Sequence, residues 1–123
     1  MILDDRAHAV FNGKIFVQPH AQKIDAYQLN RSLLLSKAAE VNTKPQLEIF
    51  ADDVSCTHGA TIGQLEDEQL FYLRARGLDH DEARELLTYG FAAEIVDTIP
   101  IASVRERVAE TIAQKTALDA SSE

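Results

Sequence analysis

Cysteine is nearly absent from this chain: its 123 residues hold one, Cys56. One cysteine cannot form an internal disulfide, so a reducing compartment is the default. One thiolate also cannot hold an iron–sulfur cluster, which takes about four thiolate or equivalent ligands. Any such role would need ligands from a second chain. Basic residues are also short: 12 Lys and Arg stand against 20 Asp and Glu, a formal net charge of -8. That balance repels phosphate backbones and gains nothing from anionic lipid, which excludes nucleic acid and membrane surfaces as partners. No apolar run approaches the length of a membrane-spanning helix. The N-terminus, MILDDRAHAVFNG, lacks the basic-then-apolar layout of a secretory signal. There is no sequence repeat, and no phosphate-binding loop with Lys and Ser/Thr in place.

What is present is ordinary for a globular protein: 46% hydrophobic and 26% charged residues, in a length that suits one domain or two small packed units. The character changes once, around the stretch Leu47 to Leu65, LEIFADDVSCTHGATIGQL. Residues 1–62 read as short strands. Asn12-Gly13, between apolar pieces, predicts a hairpin turn. Alternation is visible at Ile24, Ala26 and Gln28. The triplet Leu33-Leu34-Leu35 suits a strand buried on both faces or the turn of a solenoid. Lys44-Pro45 predicts a bend. Strands are expected to begin near Lys14, Leu33 and Leu47, an irregular spacing close to one coil of a β-solenoid and equally compatible with a small antiparallel sheet.

Residues 66–123 read as helical. A first helix is predicted over about Asp67 to Arg76, with Gly77 as its stop and Arg74 and Arg76 near the negative end of the dipole. Asp79-His80-Asp81-Glu82 has capping-box spacing and predicts a second helix to about Thr98. Its apolar stripe is Ala83, Leu86, Leu87, Gly90, Phe91 and Ile95, and Gly90 calls for another backbone packed closely against it. Pro100 precedes a third helix, about Ile101 to Thr116, with Val104, Val108 and Ile112 on one face. The small polar tail from Ala117 to Glu123 is expected to fray.

Chemistry concentrates at Cys56 and His58. On a strand, residues i and i+2 share a face, so thiolate and imidazole would stand close together as ligands for zinc or iron. A protonated imidazole would also make the thiol more nucleophilic. The plain alternative is a small buried cysteine beside a hydrogen-bonded histidine. Asp52 and Asp53 could supply oxygen ligands, but such a pair more often accepts turn amides. Gly59 and Gly63 are read as relieving backbone strain. His8, His20 and His80 show no ligand spacing.

Several runs, in order, resemble one family. They are Asn12-Gly13-Lys14-Ile15, Ala21-Gln22-Lys23, Leu33-Leu34-Leu35-Ser36, Lys44-Pro45 with Leu47-Glu48-Ile49, Ala51-Asp52-Asp53-Val54, Cys56-x-His58-Gly59-Ala60-Thr61, Leu70-Phe71-Tyr72-Leu73-Arg74 and Gly90-Phe91-Ala92. Together they resemble the C-terminal part of the SufB/SufD scaffold proteins of iron–sulfur cluster assembly. The order Cys56, His58, Gly59 looks like the SufD side, because the SufB version typically lacks this cysteine and has Glu after the histidine.

The resemblance implies an α+β fold: the last coils of a right-handed parallel β-helix over 1–65, then a C-terminal three-helix region over 66–123. It turns the Asn12-Gly13 hairpin into a solenoid turn. It implies a non-enzymatic scaffold, pairing with a SufB-like chain through the end of the β-helix and docking a SufC-like ABC-type ATPase through residues 66–116. Cys56 and His58 match SufD positions implicated in a transient iron–sulfur cluster at the paired interface, with the other ligands coming from the SufB-like chain. The family proteins are several hundred residues long, so the chain is expected to be a C-terminal fragment that self-associates through exposed strand edges. A bacterial cytoplasm or a plastid stroma fits. Two other readings stay open on the residues alone: a small metal-binding protein or zinc enzyme using Cys56, His58 and Asp53, and an interaction module in which Cys56 and His58 are core.

Overall fold

The computed structural model describes residues 1–120, and the side chains of residues 1–116. It is a mixed α+β chain of two compact units, Met1–Gln64 and Leu65–Glu123. The first unit is built from strands β1 (Ile2–Leu3), β2 (His8–Val17), β3 (Ile24–Leu34), β4 (Glu40–Ile49) and β5 (Val54–Gln64). All pairings are parallel, and successive strands alternate between two sheets, β1-β3-β5 and β2-β4. The registers are nearly constant: Ile2 pairs with Leu33, His8 with Glu40 and Ile24 with Val54, so partners lie 31, 32 and 30 residues apart. Parallel neighbours cannot be joined by a tight turn. Here the chain makes the return journey through the opposite sheet.

The long strands begin at residues 8, 24, 40 and 54, a more regular spacing than the one expected from Lys14, Leu33 and Leu47. Two punctuation signals account for the difference. Asn12-Gly13 is neither a hairpin nor a solenoid turn: it lies inside β2, paired with Lys44-Pro45 of β4. A Cβ at Gly13 would stand 1.7 Å from Nε2 of Gln28 and 2.7 Å from Cε1 of Phe11. Gly13 is therefore where the amide of Gln28, reaching across from the other sheet, occupies the space of a side chain. Lys44-Pro45 is likewise not a bend. Pro45 is tolerated within β4 because β4 is an outer strand of its sheet, where a missing N–H need not cost a ladder bond.

Burial alternates along β2 and the first part of β3, the mark of strands with one face on a core. The buried side chains of the unit include Leu3, Val17 and Leu33. Leu33 lies near the end of β3, in register with Ile2; of the apolar triplet it alone is buried, while Leu34 and Leu35 are half-buried. The glycines of β5 do not relieve strain, because Gly77 is the one positive-φ glycine among the described residues. A Cβ at Gly59 would meet Leu29 and Tyr27 at 3.4 and 3.5 Å, ordinary van der Waals contact.

The second unit comprises α1 (Asp67–Ala75), α2 (His80–Val96) and α3 (Ala102–Ala120). Gly77, at φ 105°, ends the turn after α1, a conformation that costs glycine little. Asp79 caps α2: its carboxylate accepts from the Glu82 amide at 2.8 Å, and Glu82 accepts from the Asp79 amide at 2.9 Å. The face that α2 buries differs from the expected stripe. Ala83, Thr88 and Val96 are buried, whereas Leu86, Gly90 and Ile95 are exposed. Thr88, 1% exposed, substitutes for an apolar residue because its hydroxyl donates to the Arg84 carbonyl at 2.8 Å. Among the described residues beyond its own helix turn, nothing lies within 4 Å of a Cβ built at Gly90, so none of their backbone packs against it. On α3, Val108 and Ile112 are half-buried and Val104 is exposed. The helix continues to Ala120, through the first part of the tail expected to fray; residues 121–123 lie outside the described residues.

Gly13→Ala drives a methyl into the Gln28 amide, so overpacking should lower stability by about 1–3 kcal/mol, measured by urea unfolding. Asp79→Ala removes the cap and should cost about 1 kcal/mol, read as a lowered midpoint in the same experiment.

Candidate functional site

Cys56 and His58 both lie on β5, two residues apart, and therefore on one face. Their register partners on β3 are Ala26 and Gln28. In-register residues of a parallel sheet project to the same side, and Gln28 reaches toward Gly13 of the other sheet. Cys56 and His58 thus stand on the inward-facing side of their sheet. Neither is deeply covered: Cys56 is a half-buried free thiol and His58 is exposed. β5 is the outermost strand of the β1-β3-β5 sheet. The outer edge of β5 is also unpaired among the described strands.

The other residues singled out from the sequence are not brought here. Among the described residues, no group of three or more His, Cys, Asp or Glu side chains is placed to hold a metal ion. Asp53 stands just before β5, and its backbone does the structural work. Its carbonyl accepts from the Lys23 amide at 2.6 Å, and its amide donates to Oε1 of Gln22 at 2.9 Å. The turn is thus closed by the side chain of Gln22, not by Asx-type bonds from the aspartates. His8 is hydrogen-bonded to Asn42 at 3.0 Å, His20 is in an exposed turn, and His80 lies 3.3 Å from Asp81. What β5 offers is one soft thiolate and one imidazole on a common face. That pair suits zinc or an iron–sulfur cluster and falls short of the ligand set of either.

Three residues that sequence reasoning passed over line the same inward side: Gln28, Asn30 and Ser32 of β3. The signal was available in the alternation Ile24, Ala26, Gln28, which continues unchanged through Asn30 and Ser32. Polar residues at inward positions disguised it.

The helical unit presents a different kind of surface. No residue of α1 is buried, and Phe71 is 73% exposed. Phe71, Tyr72, Leu73, Ala75 and Leu87, with Glu68 and Gln69, line an open groove of ≈ 650 Å³. Leu70 and Leu73 are only half-buried, and a nine-residue helix is marginal in isolation.

Residues 1–91 match the family described as SUF system FeS cluster assembly, SufBD core domain. The chain is 48% identical over 114 residues to the iron–sulfur cluster assembly protein SufD of Escherichia coli, covering 93% of this chain and 27% of that protein. It is 52% identical over 115 residues to an iron–sulfur cluster assembly SufBD family protein of Synechocystis, covering 94% and 25%. A chloroplastic protein of Arabidopsis thaliana, ABCI7, is 45% identical over 107 residues, covering 87% and 22%. The chain spans about a quarter of the length of these curated relatives.

Because β5 is an edge strand and His58 is exposed, Cys56→Ser and His58→Ala should each leave the melting midpoint close to wild type, within about 0.5 kcal/mol for a surface change. A loss of several times that, in the same melts, would make the pair core.

Proposed function

The chain belongs to the SufB/SufD family of the SUF iron–sulfur cluster assembly system and is most like SufD; from that premise we propose that it acts as a non-enzymatic component of an assembly scaffold. The observation that carries this reading is the incomplete ligand set on β5. Cys56 and His58 share a face at an open strand edge, and among the described residues no third donor joins them. Two donors are half of what a cluster takes. The rest would come from a SufB-like chain set against this end of the strands, and the cluster is transient cargo passing through the site.

On this reading the two parallel sheets are coils of a right-handed β-helix, which the alternation of strands between sheets and the near-constant register favour. The open edge of β5 is the pairing surface, and the same edge supports self-association when no partner is present. The unburied helix α1 and its groove, within residues 66–116, form the dock for a SufC-like ABC-type ATPase. No helix among the described residues is long and apolar enough to cross a membrane. The bacterial relatives favour a cytoplasmic setting and the chloroplastic relative a plastid stroma.

The test is co-expression with a SufB-like chain and a SufC-like ATPase. Wild type should co-purify with both. Phe71→Asp, which alters an exposed side chain and should leave circular dichroism unchanged, should lose the ATPase by at least tenfold and keep the SufB-like chain. Cys56→Ser with His58→Ala should keep both partners and lose cluster assembly. Stoichiometric metal binding by the chain alone would favour the zinc reading instead. Full cluster assembly by the double variant would reduce the chain to an interaction module.

A further inference from the structure

The inward side of β3 carries three polar residues in succession, Gln28, Asn30 and Ser32. Asn30 is 6% exposed and Ser32 2%. Gln28 Oε1, Asn30 Nδ2 and Ser32 Oγ are all buried, and none has a hydrogen-bond partner among the described residues. Buried polar atoms of native proteins find a partner in the protein or in ordered water. Three orphans on one row are not scattered exceptions.

The spacing of the row indicates what joins them. Residues two apart on a strand are separated by about 6.6 Å, and a hydrogen bond spans about 2.8–3.0 Å. Side chains standing upright from the sheet cannot meet across that gap, and a single bridging water spans at most about 6 Å, so one water joins each pair once the amide of Asn30 or Gln28 leans toward its neighbour. The surroundings favour water over an ion. The inward positions of β3 and β5 are Ile24, Ala26, Gln28, Asn30, Ser32, Val54, Cys56, His58, Ala60 and Ile62, with no acid, lysine or arginine to balance a buried charge. The row also has an outlet. Burial falls from Ser32 through Asn30 to Gln28, and Gln28 is in register with the exposed His58, one step from Cys56.

We propose that the space between the two sheets holds a file of bound water bridging Ser32, Asn30 and Gln28 and opening beside His58 and Cys56. Gly13 belongs to the device: having no side chain, it lets the Gln28 amide stand inside the row. The file hydrates the Cys56 face from within, independently of any metal or partner at its outer edge.

Water-to-protein Overhauser spectroscopy on the ¹⁵N-labelled chain tests this. The side-chain amides of Asn30 and Gln28 should both show cross-peaks to long-lived water. A high-resolution crystal structure should place water within hydrogen-bond distance of Asn30 Nδ2 and Ser32 Oγ. Asn30→Leu, close in volume, should abolish the long-lived water signal at Gln28 if the file is continuous. The proposal is overturned if the folded wild-type chain shows no such cross-peaks, or if the Asn30 and Gln28 amides are bonded directly to each other. Because the wild-type spectra stand alone, a variant that fails to fold does not rescue it.

Discussion

Parallel pairing at a distance of about one coil governs this molecule. Each of β2 and β3 finds its hydrogen-bonding partner some 30 residues later, and the chain in between must cross to the other sheet and return. Two consequences follow. The two inner faces are brought together, so an inward residue of one sheet is packed by residues of the other. The last strand also inherits only one neighbour. β5 pairs with β3 alone among the described strands, which leaves its other edge open on the strand that carries the exposed His58 and the half-buried Cys56.

The same constraint explains the composition of the inner faces. An interior made by two sheets close together is ordinarily apolar, since each unpaired buried amide costs about 1–3 kcal/mol. Here one row is polar for three successive inward positions, and the opposite sheet accommodates it with a glycine. Gly13 and Gln28 are a complementary pair: the first gives up a side chain so that the second can enter. Such a row is costly unless its atoms are satisfied, which makes hydration of the interior part of the fold's stability and not an accident of loose packing.

Signals that depend on neighbours in sequence were legible without coordinates. The capping box at Asp79 and Glu82, the stop at Gly77 and the shared face of Cys56 and His58 all rest on spacing of three residues or fewer. Signals whose cause lies on another strand or helix face were not. Gly13 reads as a turn because glycine usually is one, and only the amide of Gln28, on the facing sheet, makes it a strand residue. Pro45 reads as a bend until β4 is seen to be an outer strand. On α2, Leu86 and Ile95 fit a periodic stripe, yet the buried face runs through Thr88 and Val96, because a threonine that bonds its own Arg84 carbonyl can be buried as cheaply as an apolar residue. The Asp52-Asp53 pair looked like the closer of its turn, and the side chain of Gln22, some 30 residues earlier, closes it.

The ligand count makes the strongest functional argument, and it rests on what β5 can physically supply. A thiolate and an imidazole on one face of a strand cannot enclose a metal, because the strand keeps their donors on one side of it. Closing the coordination shell requires a second surface approaching along the open edge, and that edge offers unsatisfied backbone groups to guide a second strand into place. Pairing and ligation would therefore be one event: the hydrogen bonds that align a partner along β5 would also fix the height at which its donors meet Cys56 and His58. On the proposed reading, such a site would release its cargo when the pairing is disturbed, since the two donors of β5 alone would not keep it. Weak retention by each half is what an assembly scaffold needs and what a resident metal centre would avoid.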